Sequence, residues 1–188
     1  IDAGSDIVTV HAEVCDESSF GEICDILQSN QIGIGLAINP DTELPQWSYK
    51  FVALLDQVII MSVVPGKSGQ KFIESTHEKT QLISRDLKQH NFEGYIEADG
   101  GVNLENVGSC FEDGARAFVG GSAIVGQSDV RLIIKEFRNN ILESRRRSLI
   151  KKAHEIGGKE LVNSWIDLHI VGKKKDNLVQ ISKELGFQ

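Results

Sequence analysis

Five short β-branched runs alternate with longer amphipathic or polar stretches, and this alternation restricts the chain to a parallel sheet with helical crossovers. The runs are Ile7 to Glu13, Gly33 to Asn39, Gln57 to Val63, Tyr95 to Asp99 and Ala117 to Val119. Between them, apolar residues recur at helical spacing. Ile23, Ile26 and Leu27 follow a cap at Ser18 or Ser19, and Leu44 to Leu54 reads as a short helix. Leu82, Ile83 and Leu87 mark a helix within 72–90; Val107, Cys110 and Phe111 mark the next. Val130, Ile133, Ile134 and Phe137 open a last helix with a core-facing stripe. The polar loops follow the strands, at the end where sites in α/β proteins are built. A doubly wound sheet of five strands fits this pattern as well as part of a barrel does. Periodicity alone therefore yields an α/β fold and no more.

Composition narrows the function classes. The net charge of -7 argues against a nucleic-acid-binding protein as a whole. No apolar run approaches the roughly 20 residues that cross a bilayer, so no membrane association is expected. The opening Ile1-Asp2-Ala3-Gly4 lacks the basic start and apolar stretch of a secretory signal. Cys15, Cys24 and Cys110 show no metal-type pairing and read as reduced thiols of a cytoplasmic protein. Charge shifts near Glu143, from acidic before it to basic after it. The expected division is an α/β part over 1–143 and a basic helical extension over 144–188. That extension carries Arg145-Arg146-Arg147, a helix-like segment with Leu161, Trp165, Leu168 and His169, then Lys173-Lys174-Lys175. It reads as an appendage with solvated basic faces, or a patch that docks an acidic partner. The single methionine, Met61, lies inside a predicted strand, and Ile1 to Asp6 reads as a helix end and turn. A truncated chain is expected.

Three glycine-rich loops follow three successive strands: Gly66-Lys67-Ser68-Gly69, Asp99-Gly100-Gly101 and Gly120-Gly121-Ser122. Glycine lets backbone approach an anion closely, with free N–H groups directed at it. A single such loop would read as a turn; three at equivalent positions leave phosphate binding and plain chain turns equally open. Asp99 ends a strand beside two glycines. It is either a turn former or an acid that binds metal or moves a proton, and both readings stay open here. His11 is a weaker candidate, read as packing. His77, His90, His154 and His169 read as solvated, with no metal-ligand spacing. Ser68 and Ser122 have no partner base nearby, so they read as phosphate hydrogen-bonders. Lys67 is a counter-charge to phosphate or an exposed loop lysine.

Together these segments resemble the ribulose-phosphate 3-epimerase family. Met61-Ser62-Val63-Val64-Pro65-Gly66-Lys67-Ser68-Gly69-Gln70-Lys71-Phe72 resembles its sixth strand and loop. Glu97-Ala98-Asp99-Gly100-Gly101-Val102 resembles the seventh, and Val119-Gly120-Gly121-Ser122-Ala123-Ile124 the eighth. Ala3 to Glu13 resembles the approach to the fourth and Gly35 to Thr42 the fifth, so the likeness runs over about residues 3 to 140.

The resemblance implies a partial (β/α)8 barrel lacking the first three strand-helix units, with a helical C-terminal appendage. It implies an epimerase interconverting D-ribulose 5-phosphate and D-xylulose 5-phosphate in the pentose phosphate pathway. The implied mechanism has two aspartates on opposite faces of the sugar moving the C3 proton, with a divalent metal (Zn, Fe, Mn or Co) steadying the enediolate. Asp99 matches one proton carrier and metal ligand. Met61 matches a methionine beside the reacting carbons, and Gly66, Lys67, Ser68, Gly69, Gly100, Gly101, Gly121 and Ser122 match the substrate loops. Departures are the missing first three strands, with their serine, two histidines and second aspartate. Val64 stands where a glutamate is usual and Ser68 where a glycine is usual. The chain alone is thus expected to be inactive. A 3-epimerase of another ketose phosphate (allulose 6-phosphate) and a non-catalytic phosphate-binding remnant remain open. So does a homo-oligomer joined through exposed sheet edges.

Overall fold

The computed structural model describes residues 3–67 and 69–155. Five parallel strands form one sheet in the order β1 (Ile7–His11), β2 (Gly33–Ile38), β3 (Leu55–Met61), β4 (Tyr95–Asp99), β5 (Ala117–Val119). The helices are α1 (Glu17–Ser29), α2 (Ser75–Gln89), α3 (Val107–Asp113), α4 (Gly121–Val125) and α5 (Val130–Glu155). The strand order is strictly sequential. A doubly wound sheet reverses direction at a switch point; this sheet has none, so that alternative falls. The chain divides into two compact units, Ile1–Ile141 and Leu142–Gln188. Of the second, α5 is described as far as Glu155; the predicted segment with Leu161, Trp165 and Lys173 to Lys175 lies outside the described residues.

Parity along the strands sorts side chains to two faces. Leu36 and Ile38 of β2, Val58 and Ile60 of β3, and Ile96 and Ala98 of β4 are buried in one core. Phe20, Cys24 and Leu27 of α1, Ile83 and Leu87 of α2, and Val107 and Cys110 of α3 belong to the same core. Each fully buried leucine or isoleucine there stabilises the fold by about 1.5–3 kcal/mol. The other face, which also holds Ile59 and Met61, carries a polar ladder. Thr9 donates to Gln57 Oε1 (3.1 Å), and Gln57 Nε2 donates to Glu97 (2.7 Å). This ladder crosses over Gly35, where a Cβ would meet Thr9 Oγ1 at 2.0 Å.

Several expectations are corrected. The cap of α1 is Asp16, not Ser18 or Ser19: its carboxylate accepts from Ser19 N–H (2.8 Å), and the Ser19 hydroxyl accepts from Asp16 N–H (3.0 Å). This reciprocal pair is a capping box. Leu44 to Leu54 is no single helix but two 3-10 turns, Gln46–Lys50 and Val52–Leu54, the first entered from Pro45. The third strand begins and ends two residues earlier than expected, at Leu55 and Met61. Ile26, Leu82, Val130 and Ile134 are exposed. The buried arc of α1 runs through Phe20, Cys24 and Leu27, and that of α2 through Thr76, Thr80, Ile83 and Leu87. Ile26 and Leu82 each sit one residue, about 100°, off those arcs. In α5, Ile133, Phe137 and Ile141 pack inward.

Candidate functional site

The C-terminal ends of the central strands share one rim because the strands are in register: Met61 pairs with Asp99, and Asp99 with Val119. Met61 is buried. Asp99 is half-buried, and that burial pushes its carboxyl up from the ordinary range while the charge of His11 pulls against it. Glu97, two residues earlier on the same face, is also raised by burial and by Asp99, against a lowering bond from Gln57. The backbone after Asp99 is fixed from β3. Ser62, itself buried, donates N–H to Asp99 O (2.7 Å) and Oγ–H to Gly100 O (2.6 Å).

Gly100 and Gly101 then take φ of +108° and +65°. At Gly101 the backbone lies against the chain at Phe72, and a Cβ there would sit 2.5 Å from Phe72 N. This close approach brings the loop after β3 onto the loop after β4. Gln70 ties its own loop, donating to Val64 O (2.5 Å) and Lys67 O (2.8 Å).

The result is a cavity of about 660 Å³. Gly101, Gly121 and Ser122 line it together with Lys71, Phe72 and His77. Gly66, Lys67 and Gly69 are exposed in the neighbouring loop and are not among its lining residues. Gly100 packs against Val63, and Ser68 lies outside the described residues. Asp99 and Met61 stand on the rim at the strand ends.

His77 is the residue that sequence reasoning missed. Far from being solvated, its ring is held by Nδ1 against Asp113, a buried carboxylate that also accepts from Gln81 (2.7 Å). The ring also lies against Phe72, with centroids 4.8 Å apart. No local pattern signals a partner 36 residues away.

A second network joins the ends of β1 and β2 to α2. His11 Nδ1 lies 3.2 Å from Glu13 Oε2. Glu13 Oε1 accepts from Asn39 N–H (2.6 Å), and Lys79 Nζ donates to Asn39 O. Burial raises Glu13, but hydrogen bonds from Asn39 and Thr42 outweigh it and leave the carboxyl low. Burial drops the Lys79 amine to about 8, against the pull of Glu13 and Asp41. Folded Lys79 thus releases its proton at lower pH than the unfolded chain does, so the unfolded state binds more protons between about 8 and 10.5. Relative to Lys79→Met, the wild-type chain should gain stability as pH rises through that window, read as a wild-type urea midpoint that rises against the variant's. A difference flat with pH would contradict the buried amine.

The metal implied by the resemblance needs several ligands. Among the described residues no three His, Cys, Asp or Glu side chains converge on a metal position. Asp99 offers one carboxylate, and these residues do not by themselves fit a complete site. The three cysteines are free. Among the described residues no helix is long and apolar enough to cross a membrane.

The family model described as ribulose-phosphate 3 epimerase matches residues 1–125. Ribulose-phosphate 3-epimerase of Escherichia coli K12 is 35% identical over 139 residues, 74% of this chain and 60% of that protein. The Bacillus subtilis protein of the same name is 37% identical, over 73% of this chain and 63% of its own length. The chloroplastic ribulose-5-phosphate-3-epimerase of Arabidopsis thaliana is also 37% identical, over 72% and 48%. The chain thus spans about 60% of the length of the bacterial relatives. Among solved structures, 3-hexulose-6-phosphate synthase from Salmonella typhimurium aligns with a TM-score of 0.56. At 19% identity, over 76% of this chain and 64% of that one, it speaks for the fold alone. By the family model and the bacterial relatives, this chain belongs to the ribulose-phosphate 3-epimerase family.

Proposed function

We propose that this chain supplies the phosphate-binding half, and one of two proton carriers, of a ribulose-phosphate 3-epimerase site. In this reading the sheet is part of a (β/α)8 barrel, consistent with its sequential parallel order. The polar face with Thr9, Gln57, Glu97 and Asp99 is then the barrel interior. Residues 144–188 are a basic extension outside the catalytic part. The substrate is ribulose 5-phosphate, and the setting is cytoplasmic carbohydrate metabolism.

The observation that carries the reading is one of placement. Gly101, Gly121 and Ser122 line a single cavity, and Asp99 ends β4 two residues before Gly101. A phosphate held there by backbone N–H groups and Lys71 would extend its sugar toward the rim of Met61 and Asp99. Asp99, its carboxyl raised by burial, exchanges a proton with C3 on one face of the sugar. The opposite face needs a second acid, and the metal needs further ligands. The resemblance puts both on the family's first three strands, ahead of the five that this chain matches.

Two measurements test the reading. The 188-residue chain should show saturable amide shifts at Gly101, Gly121 and Ser122 on titration with ribulose 5-phosphate, yet no measurable epimerisation. A chimera joining, ahead of Ile1, the part of the Escherichia coli relative outside the aligned stretch should epimerise it in the presence of a divalent metal salt. In that chimera Asp99→Asn should lower kcat by about a thousandfold or more, with KM changed only a few-fold. Near-normal turnover by Asp99→Asn would remove the catalytic assignment; unmoved glycine amides would remove the phosphate assignment.

A further inference from the structure

The cavity around Gly101 and Gly121 carries an unusual balance of charge for an anion site. Among its described lining residues, Lys71 is the one lysine or arginine, and Glu74 and Glu105 also face it. A phosphate dianion entering would meet two carboxylates and one ammonium. The remaining titratable side chain on the wall is His77.

His77 is built in, not merely present. Its Nδ1 engages the carboxylate of Asp113 on α3, which is 7% exposed and is itself held by Gln81 of α2. A carboxylate only accepts, so the Nδ1 position carries the proton. The ring is clamped a second time by Phe72, which lines the same cavity. Nε2 is the nitrogen left over. The charged group facing it is Glu74, whose Oε2 lies 3.7 Å away, too far for a hydrogen bond, on a side chain 84% exposed. The groups around the imidazole are therefore Asp113 from α3, Glu74 from the start of α2, and Lys71 and Glu105 on the same cavity wall.

We propose that His77 is a side-chain ligand of the substrate phosphate, with Nε2 sharing one proton with a phosphate oxygen. The proposal rests on the anion-cavity reading above. An imidazolium meeting a dianion, or a neutral imidazole meeting a monoanion, leaves the same single proton between the two atoms. Charge-assisted bonds of this kind are about twice as strong as neutral ones. Asp113 supports the arrangement as a positioning residue: it fixes the tautomer and aims the free nitrogen.

The test uses the full chain and sulfate, which stays a dianion throughout the neutral range, so any pH dependence belongs to the protein. With uniformly ¹⁵N-labelled protein, sulfate should move the His77 imidazole nitrogen signals and the Gly101 and Gly121 amides along one saturation curve. Affinity should fall as pH is raised, by up to about tenfold per pH unit, the limit for one linked proton. His77→Gln should weaken sulfate about tenfold at low pH and flatten the profile. If the glycine amides shift while the His77 nitrogens stay still, the role of His77 is overturned and the cavity stands. If nothing shifts saturably, both fall. If His77→Gln keeps the wild-type pH profile, the histidine is only a staple between α2 and α3. The wild-type spectra decide the matter even where the variant folds poorly.

Discussion

Gly101→Ala is expected to destabilise the chain by about 2–5 kcal/mol and to abolish anion binding at the cavity. Two separate costs act at this position. The φ of +65° is strained for any residue with a Cβ, at about 1–2 kcal/mol. The Cβ would also lie 2.5 Å from Phe72 N, 2.7 Å from Phe72 Cα and 3.0 Å from the Lys71 carbonyl carbon. All three are backbone atoms, so no side-chain rotation relieves the clash, and overpacking of this kind costs about 1–3 kcal/mol. The chain at Lys71 and Phe72 must move, and with it the wall on which His77 rests. Urea unfolding and sulfate titration should both report the change. A variant with an unchanged unfolding midpoint would mean that the two loops are not in contact.

Gly121→Asp should weaken sulfate and phosphate binding roughly a hundredfold or more while leaving stability nearly untouched. Nothing lies within 4 Å of a Cβ built at Gly121, and its φ is not in the left-handed region, so a side chain there is tolerated by the fold. The carboxylate would share the cavity with the anion. At about 5 Å from a dianion, the repulsion is about 2–4 kcal/mol for a partly wet site, the equivalent of that loss in affinity. Gly121→Ala is the control and should bind nearly as the wild type does. Should Gly121→Asp bind sulfate normally, the anion sits elsewhere. At Gly101 packing excludes any side chain, whereas at Gly121 the ligand excludes only a negative charge.

Local sequence pattern placed the strands that end at the candidate site. β4 and β5 run over Tyr95–Asp99 and Ala117–Val119, as their β-branched and aromatic content predicts. Where the structure departs from local pattern, a longer-range contact prevails. Pro45 and the packing of Trp47 and Phe51 against Phe20 replace the expected helix over 44–54 with two 3-10 turns. Val130 and Ile134 carry the right residue type for a core but fall beside the stripe that Ile133 and Phe137 present. For the candidate site, glycine placement pointed to Gly101, where close backbone approach demands that residue, and to Gly121, where the structure leaves room for a side chain. It also pointed to Gly66 and Gly69, which the structure leaves exposed in the adjoining loop.

The sequence by itself determined the alternation of strand and helix, the end of the sheet that carries the loops, and the family. These are properties of short windows: side-chain period, turn chemistry and the glycines that follow each strand. Only the tertiary structure decided that the strands lie in sequential order, which rules out the doubly wound alternative. It alone brought Asp113 to His77, Phe72 to Gly101, and Gln57 between Thr9 and Glu97 across the bare Gly35. Those partners are roughly 30 to 50 residues apart in the chain. Their meeting depends on strand register and helix packing, which are set by burial of the shared core and leave no mark on the pattern of either segment alone.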